Sequence, residues 1–157
     1  MKIGILSDTH GIWRPQIEPC FQGVERIFHA GDVGRLEILE NLSAIAPVLA
    51  VRGNVDEYAE AGHLPAEIEA EVEDVRFLVR HVGCNVEATP SDLKRLLQSR
   101  EIGVFLFGHS HKMYSEYLGP TLFFNPGAAG PRRFSLPLSV ATMEIRRGEL
   151  SWRFWEL

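Results

Sequence analysis

The sequence predicts an α/β fold, and two observations carry that prediction. In the first half of the chain, short apolar runs alternate with helix-like segments. In the last third, paired strand-like runs flank turn residues. The 157 residues, 45% of them hydrophobic and 24% charged, have the composition of a globular protein. We therefore predict a single domain, residues 1–157, that contains a largely parallel sheet.

The first half carries three apolar runs that are typical of buried strands: residues 3–6, 26–29 and 48–51. Between the last two runs, leucine and isoleucine recur at helical spacing from Leu36 to Ile45. Pro47 ends that helix, because its ring cannot continue the hydrogen-bond ladder. This order of elements predicts a βαβαβ unit with parallel strands.

The second half is more mixed. Residues 67–73 predict a half-exposed strand, with 75–79 as its continuation or hairpin partner. Ser91 is expected to N-cap a helix that contains Leu93, Leu96 and Leu97. Residues 104–107 predict another buried strand. Two final hairpins are expected, the first pairing 114–118 with 121–124 and the second pairing 139–145 with 150–155.

Charge and cysteine content exclude several classes of protein. The net charge of −5 gives no electrostatic reason to bind a membrane or extended nucleic acid, so neither is an expected partner. Cys20 and Cys84 form no C-x-x-C pair, which argues against a thiolate zinc site and favours a reducing compartment. No apolar run approaches the ~20 residues of a membrane helix, and the apolar run at the start breaks too early for a secretory signal. We expect a cytoplasmic protein.

Side chains that bind metals follow five of the predicted strands: Asp8 and His10, Asp32, Asn54, His81, and His109 with His111. In open α/β sheets, ligands bind outside the carboxyl ends of the strands, so these side chains are expected in one cleft. Seven ligands are too many for one tetrahedral zinc ion. With one bridging carboxylate they supply four ligands to each of two ions, a centre suited to phosphoryl displacement.

The motifs in order are D-x-H at 8–10, G-D at 31–32, G-N at 53–54, His81, and G-H-x-H at 108–111. This series resembles the signature of the calcineurin-like metallophosphoesterases, and in particular their small YfcE-like phosphodiesterase branch. The segments 53–56 and 125–134 extend the resemblance over nearly the whole chain. The resemblance implies a four-layer α-β-β-α sandwich, in which two mixed sheets are flanked by helices.

The resemblance also implies a role for each ligand. Asp8, His10, Asp32 and His111 would hold one divalent ion, and Asp32, Asn54, His81 and His109 the other, with Asp32 as the bridge. Asn54, Asp32 and His10 are the catalytic candidates, and Asn54 is also expected to contact a phosphate oxygen. Manganese is the usual activator in this branch, while Fe, Zn, Co and Ni suit the same donors.

The implied activity is hydrolysis of a small phosphodiester by in-line attack of a hydroxide that bridges the two ions. Two divalent ions, two carboxylates and hydroxide sum to about one positive charge, which suits a monoanionic diester. Arg132 and Arg133 are candidates for substrate contact, with a solvated pair as the alternative reading.

Two positions depart from the family pattern. Val55 stands where many related phosphatases have a histidine that protonates the leaving group, and valine cannot donate a proton. Val82-Gly83-Cys84 follows His81, where the branch usually reads H-G-H. We expect these changes to affect acid catalysis and access to the second ion.

The alternative function is a non-catalytic scaffold that resembles the retromer subunit, which shares this fold but has lost metal-site histidines. Every ligand position is filled here, which favours the enzyme. A serine hydrolase centred on Ser110 is disfavoured, because no G-x-S-x-G motif surrounds it. His29 is predicted to orient a ligand or to pack in the core. Whether the chain forms a homo-oligomer is left open.

Overall fold

The fold is built from ten strands and three α-helices, in a computed structural model that describes residues 1–157. The strands are β1 (Lys2–Leu6), β2 (Arg26–His29), β3 (Val48–Ala50), β4 (Glu67–Val72), β5 (Val75–Arg80), β6 (Val104–Leu106), β7 (Met113–Leu118), β8 (Thr121–Pro126), β9 (Ser139–Arg146) and β10 (Glu149–Glu156). The helices are α1 (Ile17–Cys20), α2 (Leu36–Ser43) and α3 (Ser91–Ser99). Short 3₁₀ helices cover Glu60–His63 and Val86–Ala88.

The strands form two mixed sheets of five strands each. The first sheet has the order β10-β9-β1-β2-β3, with β1, β2 and β3 parallel and β9 antiparallel to β1. The second has the order β4-β5-β6-β8-β7, with β5, β6 and β8 parallel and an antiparallel strand at each edge. Each sheet therefore has three parallel strands whose carboxyl ends share one edge.

Three apolar clusters separate the layers. The largest lies between the sheets, where Phe28 of the first sheet stacks on Phe77 of the second with ring centroids 5.2 Å apart. A second cluster joins the outer face of the first sheet to α1 and α2, and a third joins the outer face of the second sheet to α3. The layer order is thus helix, sheet, sheet, helix, and the predicted four-layer α-β-β-α sandwich is confirmed.

Most predicted elements are present, with two differences. The first is at α3, where Ser91 does not cap the helix. Pro90 occupies the cap position in an extended conformation and accepts the first helical hydrogen bond from Lys94, so Ser91 is already the first helical residue. The second is at α2, which ends at Ser43 rather than near Pro47. No helix in the structure is both long enough and apolar enough to cross a lipid bilayer.

The Phe28–Phe77 stack is a contact between the two sheets that a single substitution can remove. Phe28→Ala should lower the free energy of unfolding by about 3–5 kcal/mol, because it leaves a cavity between two layers that cannot close. Denaturant unfolding measures the loss. Phe134→Ala is the matched control, since that ring is 94% exposed, and a comparable loss in both variants would contradict the assignment.

Candidate metal centre

All seven predicted ligands lie together at the edge where the parallel strands end. Asp8 and His10 follow β1, Asp32 follows β2, and Asn54 follows β3, all in the first sheet. His81 follows β5, and His109 and His111 follow β6, in the second sheet. The site is therefore assembled from both sheets, and each of its five loops follows a different parallel strand.

The first cluster contains Asp8, His10 and His111, whose potential ligand atoms all lie within 4.8 Å of one another. The Oδ1 atom of Asp8 is 3.1 Å from Nε2 of His111 and 3.8 Å from Nε2 of His10. Asp8 is fully buried and His111 nearly so. These three side chains converge on one point from the loops after β1 and β6.

The second cluster contains Asp32, His81 and His109, again with ligand atoms within 4.8 Å of one another. Asn54 joins it through its amide oxygen, which is 3.1 Å from Nε2 of His81 and 3.0 Å from Nδ1 of His109. His81 is buried, whereas Asn54 and His109 are exposed. This cluster is therefore the one that opens to solvent.

Asp32 connects the two clusters through a single oxygen. Its Oδ2 atom is 3.2 Å from Nε2 of His81 in the second cluster and 3.6 Å from Nε2 of His10 in the first. Its other oxygen, Oδ1, accepts the backbone N–H of Val55 at 3.0 Å. That hydrogen bond fixes the rotation of the carboxylate so that Oδ2 faces both sets of imidazoles.

The donor chemistry of this centre fits divalent metal ions. Three of its buried polar atoms have no hydrogen-bond partner: Asp8 Oδ1, His10 Nε2 and His111 Nδ1. Proteins rarely bury polar atoms unpaired, and converging carboxylate oxygens and imidazole nitrogens are typical ligands of first-row transition metals. The residues present could therefore hold a cation in each cluster.

The carboxylates of the centre are stabilised in their ionised form. Burial alone would raise the pKa of Asp8, but the neighbouring side chains of His111 and Ser7 outweigh it and lower that pKa below its usual value. Burial likewise opposes ionisation of Asp32, yet hydrogen bonds from His81 and from the Val55 amide lower its pKa. Both side chains are thus ready to act as anionic ligands near neutral pH.

The backbone at the ligands is unusual. Five of the seven candidates have positive φ angles between 46° and 67°: Asp8, His10, Asp32, His109 and His111. Residues with side chains occupy this region at a cost of roughly 1–2 kcal/mol each, and such strain concentrates at functional sites. The sharp turns let each chain segment leave its strand while its side chain points back into the cleft.

Glycines precede the ligands because there is no room for a side chain. A Cβ atom at Gly53 would overlap the Oδ1 atom of Asp32, and one at Gly108 would lie 2.7 Å from Oδ2 of Asp8. The G-N and G-H-x-H motifs therefore encode a close approach of backbone to carboxylate. That approach allows the His109 amide to donate to Asp8 Oδ2 at 3.0 Å.

Two polar side chains without a predicted role, Asn125 and Arg14, hold the ligand loops together. The side-chain amide of Asn125 donates to the Gly108 carbonyl at 2.8 Å and so supports the loop that carries His109 and His111. Arg14 donates to the carbonyl of Gly130 at 2.8 Å and ties the loop after β1 to the segment after β8. Both act on backbone groups of distant segments, and no local sequence pattern signals such contacts.

His29 connects two of the loops that carry the proposed ligands. Its ring is fully buried, accepts the Gly31 N–H at Nδ1 (3.2 Å) and donates from Nε2 to the Thr9 hydroxyl (2.9 Å). The Thr9 hydroxyl in turn donates to the carbonyl of Val33 at 2.9 Å. The ring therefore links the loop of Asp8 and His10 to the loop of Asp32.

The two arginines differ in their relation to the centre. Both side chains are exposed. Burial is the main cause that lowers the pKa of His10, and the positive charge of Arg133 adds to that lowering, so Arg133 lies close to the first cluster. A contact of either arginine with a substrate stays a prediction.

A polar groove of about 390 Å³ opens beside the second cluster. Its walls include Asn54 and His81 of the cluster, Arg52, and the ion pair between Arg80 and Glu67. Val82 also lines the groove and is 58% exposed. Of the other residues after His81, Gly83 packs against Phe107 and Cys84 contacts Thr89, so Val82 is the one residue of the Val-Gly-Cys sequence that lines the groove.

Comparisons with known proteins identify the family of the chain. Residues 1–148 match the model of the calcineurin-like phosphoesterase superfamily domain. A probable metallophosphoesterase of Methanocaldococcus jannaschii is 36% identical over 135 residues, which cover 82% of this chain and 68% of that protein. A phosphodiesterase of the same organism is 30% identical over 146 residues, covering 81% and 83% of the two chains.

Among solved structures, Vps29 of Chaetomium thermophilum is similar with a TM-score of 0.82 over all of this chain and 86% of that one, at 19% identity. At this identity the similarity shows the fold alone. The family model and the archaeal relatives go further: the chain belongs to the calcineurin-like phosphoesterase superfamily. The expected resemblance is thereby confirmed.

The buried His29 gives a testable pH dependence of stability. Burial lowers its pKa from 6.5 to about 4 in the folded protein. Between pH 6.5 and pH 4 the unfolded state therefore binds more protons than the folded state. The contribution of the neutral His29 ring to the free energy of unfolding is complete above pH 6.5 and is lost as the pH falls towards 4. Between pH 7 and pH 5 the wild-type chain should lose about 2 kcal/mol more unfolding free energy than His29→Asn. Urea unfolding with a chelator present measures both slopes, and equal slopes would refute the role of His29.

Proposed function

We propose that this protein is a binuclear, metal-dependent phosphodiesterase that hydrolyses a small diester by in-line displacement at phosphorus. The observation that carries the proposal is the position of Asp32, whose Oδ2 atom faces an imidazole of each cluster at 3.2 and 3.6 Å. A carboxylate so placed can serve two cations at once, as two-metal phosphoesterase chemistry requires.

The proposed ligand sets are those implied by the sequence. Asp8, His10, Asp32 and His111 hold one divalent ion, and Asp32, Asn54, His81 and His109 hold the other. When bound, these ions supply Lewis-acid activation of water and neutralise charge on the phosphoryl group. We propose Mn²⁺ as the activating ion, since imidazole and carboxylate donors suit it along with Fe, Zn, Co and Ni.

The chain itself contributes orientation and charge stabilisation. Asn54 directs its amide oxygen at His81 and His109, which leaves its Nδ2 hydrogens free to donate to a phosphate oxygen. Asp32 is held by the Val55 amide, so it does not need to reorganise when substrate arrives. Arg133, exposed and near His10, supplies a further positive charge towards the anion.

One feature favours a diester over a monoester, and a second restricts the leaving group. The groove beside Asn54 and His81 offers room for a second ester substituent, which a monoester does not have. The Val55 side chain is 42% exposed near the site and has no acidic proton to donate. Without a general acid at that position, substrates whose leaving group departs unprotonated are favoured.

The alternative is a non-catalytic scaffold with the metallophosphoesterase fold. The structural similarity to Vps29 shows a shared fold, and a fold hosts more than one function. The complete donor set and its strained ligand backbone support the enzyme. Binding of metal without hydrolysis of any diester would support the scaffold.

The first test combines a substrate panel with removal of the bridge. With added Mn²⁺ the wild-type chain should hydrolyse aryl diesters, cyclic nucleotides, dinucleotides or glycerophosphodiesters faster than aryl monoesters. Asp32→Asn should lower turnover by at least about 100-fold and reduce the bound metal from about two ions per chain, because one carboxylate serves both sites. Elemental analysis and initial rates provide the two measurements.

The matched control is Asp74→Asn, at an exposed aspartate in the turn between β4 and β5. It should keep wild-type turnover and metal content. Full retention of metal and activity in Asp32→Asn would reject the bridge, and preference of the wild type for monoesters would reject the diesterase.

A second test separates the two arginines. Arg133→Gln should raise KM for a diester by roughly fivefold with little change in kcat, because an exposed ionic contact contributes about 1 kcal/mol. Arg132→Gln removes the same charge from the neighbouring position and should change KM by less than about twofold. Steady-state kinetics at saturating Mn²⁺ measures both, and equal effects would count against a specific contact at Arg133.

A further inference from the structure

Asp56 is a fully buried carboxylate that no predicted role uses. It accepts three backbone hydrogen bonds. Its Oδ2 atom accepts the N–H of Gly53 at 2.8 Å and that of Val33 at 3.0 Å, and its Oδ1 atom accepts the N–H of Gly34 at 2.9 Å. It forms no ion pair with any Lys, Arg or His side chain. Three backbone amides are therefore its hydrogen-bond donors.

These three amides belong to the neighbours of two proposed ligands. Val33 and Gly34 directly follow Asp32, and Gly53 directly precedes Asn54. The two segments come from different strand ends, after β2 and after β3. One carboxylate thus fastens the backbone of the bridging ligand to the backbone of the amide ligand.

We propose that Asp56 is the positioning residue of the metal centre, which sets the separation of Asp32 and Asn54 and thereby the affinity and geometry of the second cation site. The inference rests on the proposed function only in taking Asp32 and Asn54 as ligands. Asp56 itself points at backbone amides and is not a ligand.

The chemistry of the contact requires a carboxylate. Both carboxylate oxygens accept backbone N–H groups, and Oδ2 accepts two of them. A side-chain N–H at either oxygen position would therefore face another hydrogen-bond donor. An asparagine side chain would turn an N–H₂ group towards at least one amide N–H, which replaces a charge-assisted bond by a donor–donor contact. Alanine would leave three buried amides unpaired. The side chain therefore does more than fill space.

Asp56→Asn tests the proposal with the whole chain. Its dissociation constant for Mn²⁺ should rise by about 10–100-fold, the usual effect of losing a group that orients metal ligands. At saturating Mn²⁺, kcat for an aryl diester should fall while KM changes by less than about threefold, because Asp56 does not touch substrate. Calorimetric titration and the EPR signal of free Mn²⁺ measure affinity independently of activity.

Thr121→Val is the control for a purely structural role. Thr121 is also buried, and its hydroxyl donates to the Ile102 carbonyl at 2.7 Å, at the opposite end of β8 from the centre. This variant should lower the melting temperature and leave Mn²⁺ affinity and kcat unchanged. If Asp56→Asn behaves in the same way, Asp56 only stabilises the fold and the proposal is overturned.

Two further measurements keep the proposal testable if Asp56→Asn does not fold. Asp56→Glu retains the charge but shifts the oxygens by one methylene, and wild-type Mn²⁺ affinity in that variant would reject a positioning role. In the wild-type chain, Zn²⁺ should slow hydrogen exchange of the Gly34 and Gly53 amides together, and unchanged exchange at both would also reject the positioning role.

Absence of diester hydrolysis by the wild type would refute the proposed function while leaving the metal measurements valid.

Discussion

The position of the Asp32 carboxylate between two groups of imidazoles is the constraint on which the rest of the site depends. Burying two carboxylates, Asp32 and Asp8, close together costs several kcal/mol per charge unless each is compensated. Part of the compensation is internal, from the amides of Val55 and His109 and from the nearby histidine rings. Asp8 Oδ1 still has no hydrogen-bond partner, and a cation would complete its coordination.

The sandwich makes this arrangement possible because each sheet contributes three parallel strands whose ends share one edge. The first sheet supplies the acidic and amide ligands, and the second supplies three of the four histidines. The ligands of the two sheets meet at the contact between Asp32 and His81. This contact lies at the end of the interface between the sheets, whose core contains the stack of Phe28 on Phe77. Packing between the sheets therefore sets the distance between the ligands.

Much of this could be predicted from the sequence, because apolar periodicity marks strands and because ligand-type residues stand directly after them. The approximate positions of the strands and the convergence of all seven ligands follow from those two signals. The cap of α3 was misassigned, since Pro90 takes the position that Ser91 would otherwise occupy. The sequence does not identify Asp56 and Asn125 as supports, because Asn125 and two of the three contacts of Asp56 act on backbone groups of other loops, and no spacing rule encodes such contacts.

The residues that hold the fold and those that form the site are almost entirely different sets. None of the seven proposed ligands belongs to the three apolar clusters that join the layers. The apolar packing that joins the layers therefore does not involve the ligand side chains. Five of the ligand residues have positive φ angles, which strain the backbone. Three of the ligand side-chain atoms are buried without a hydrogen-bond partner. Such features destabilise the chain on their own and concentrate at functional sites, and the donor set at this one fits cations.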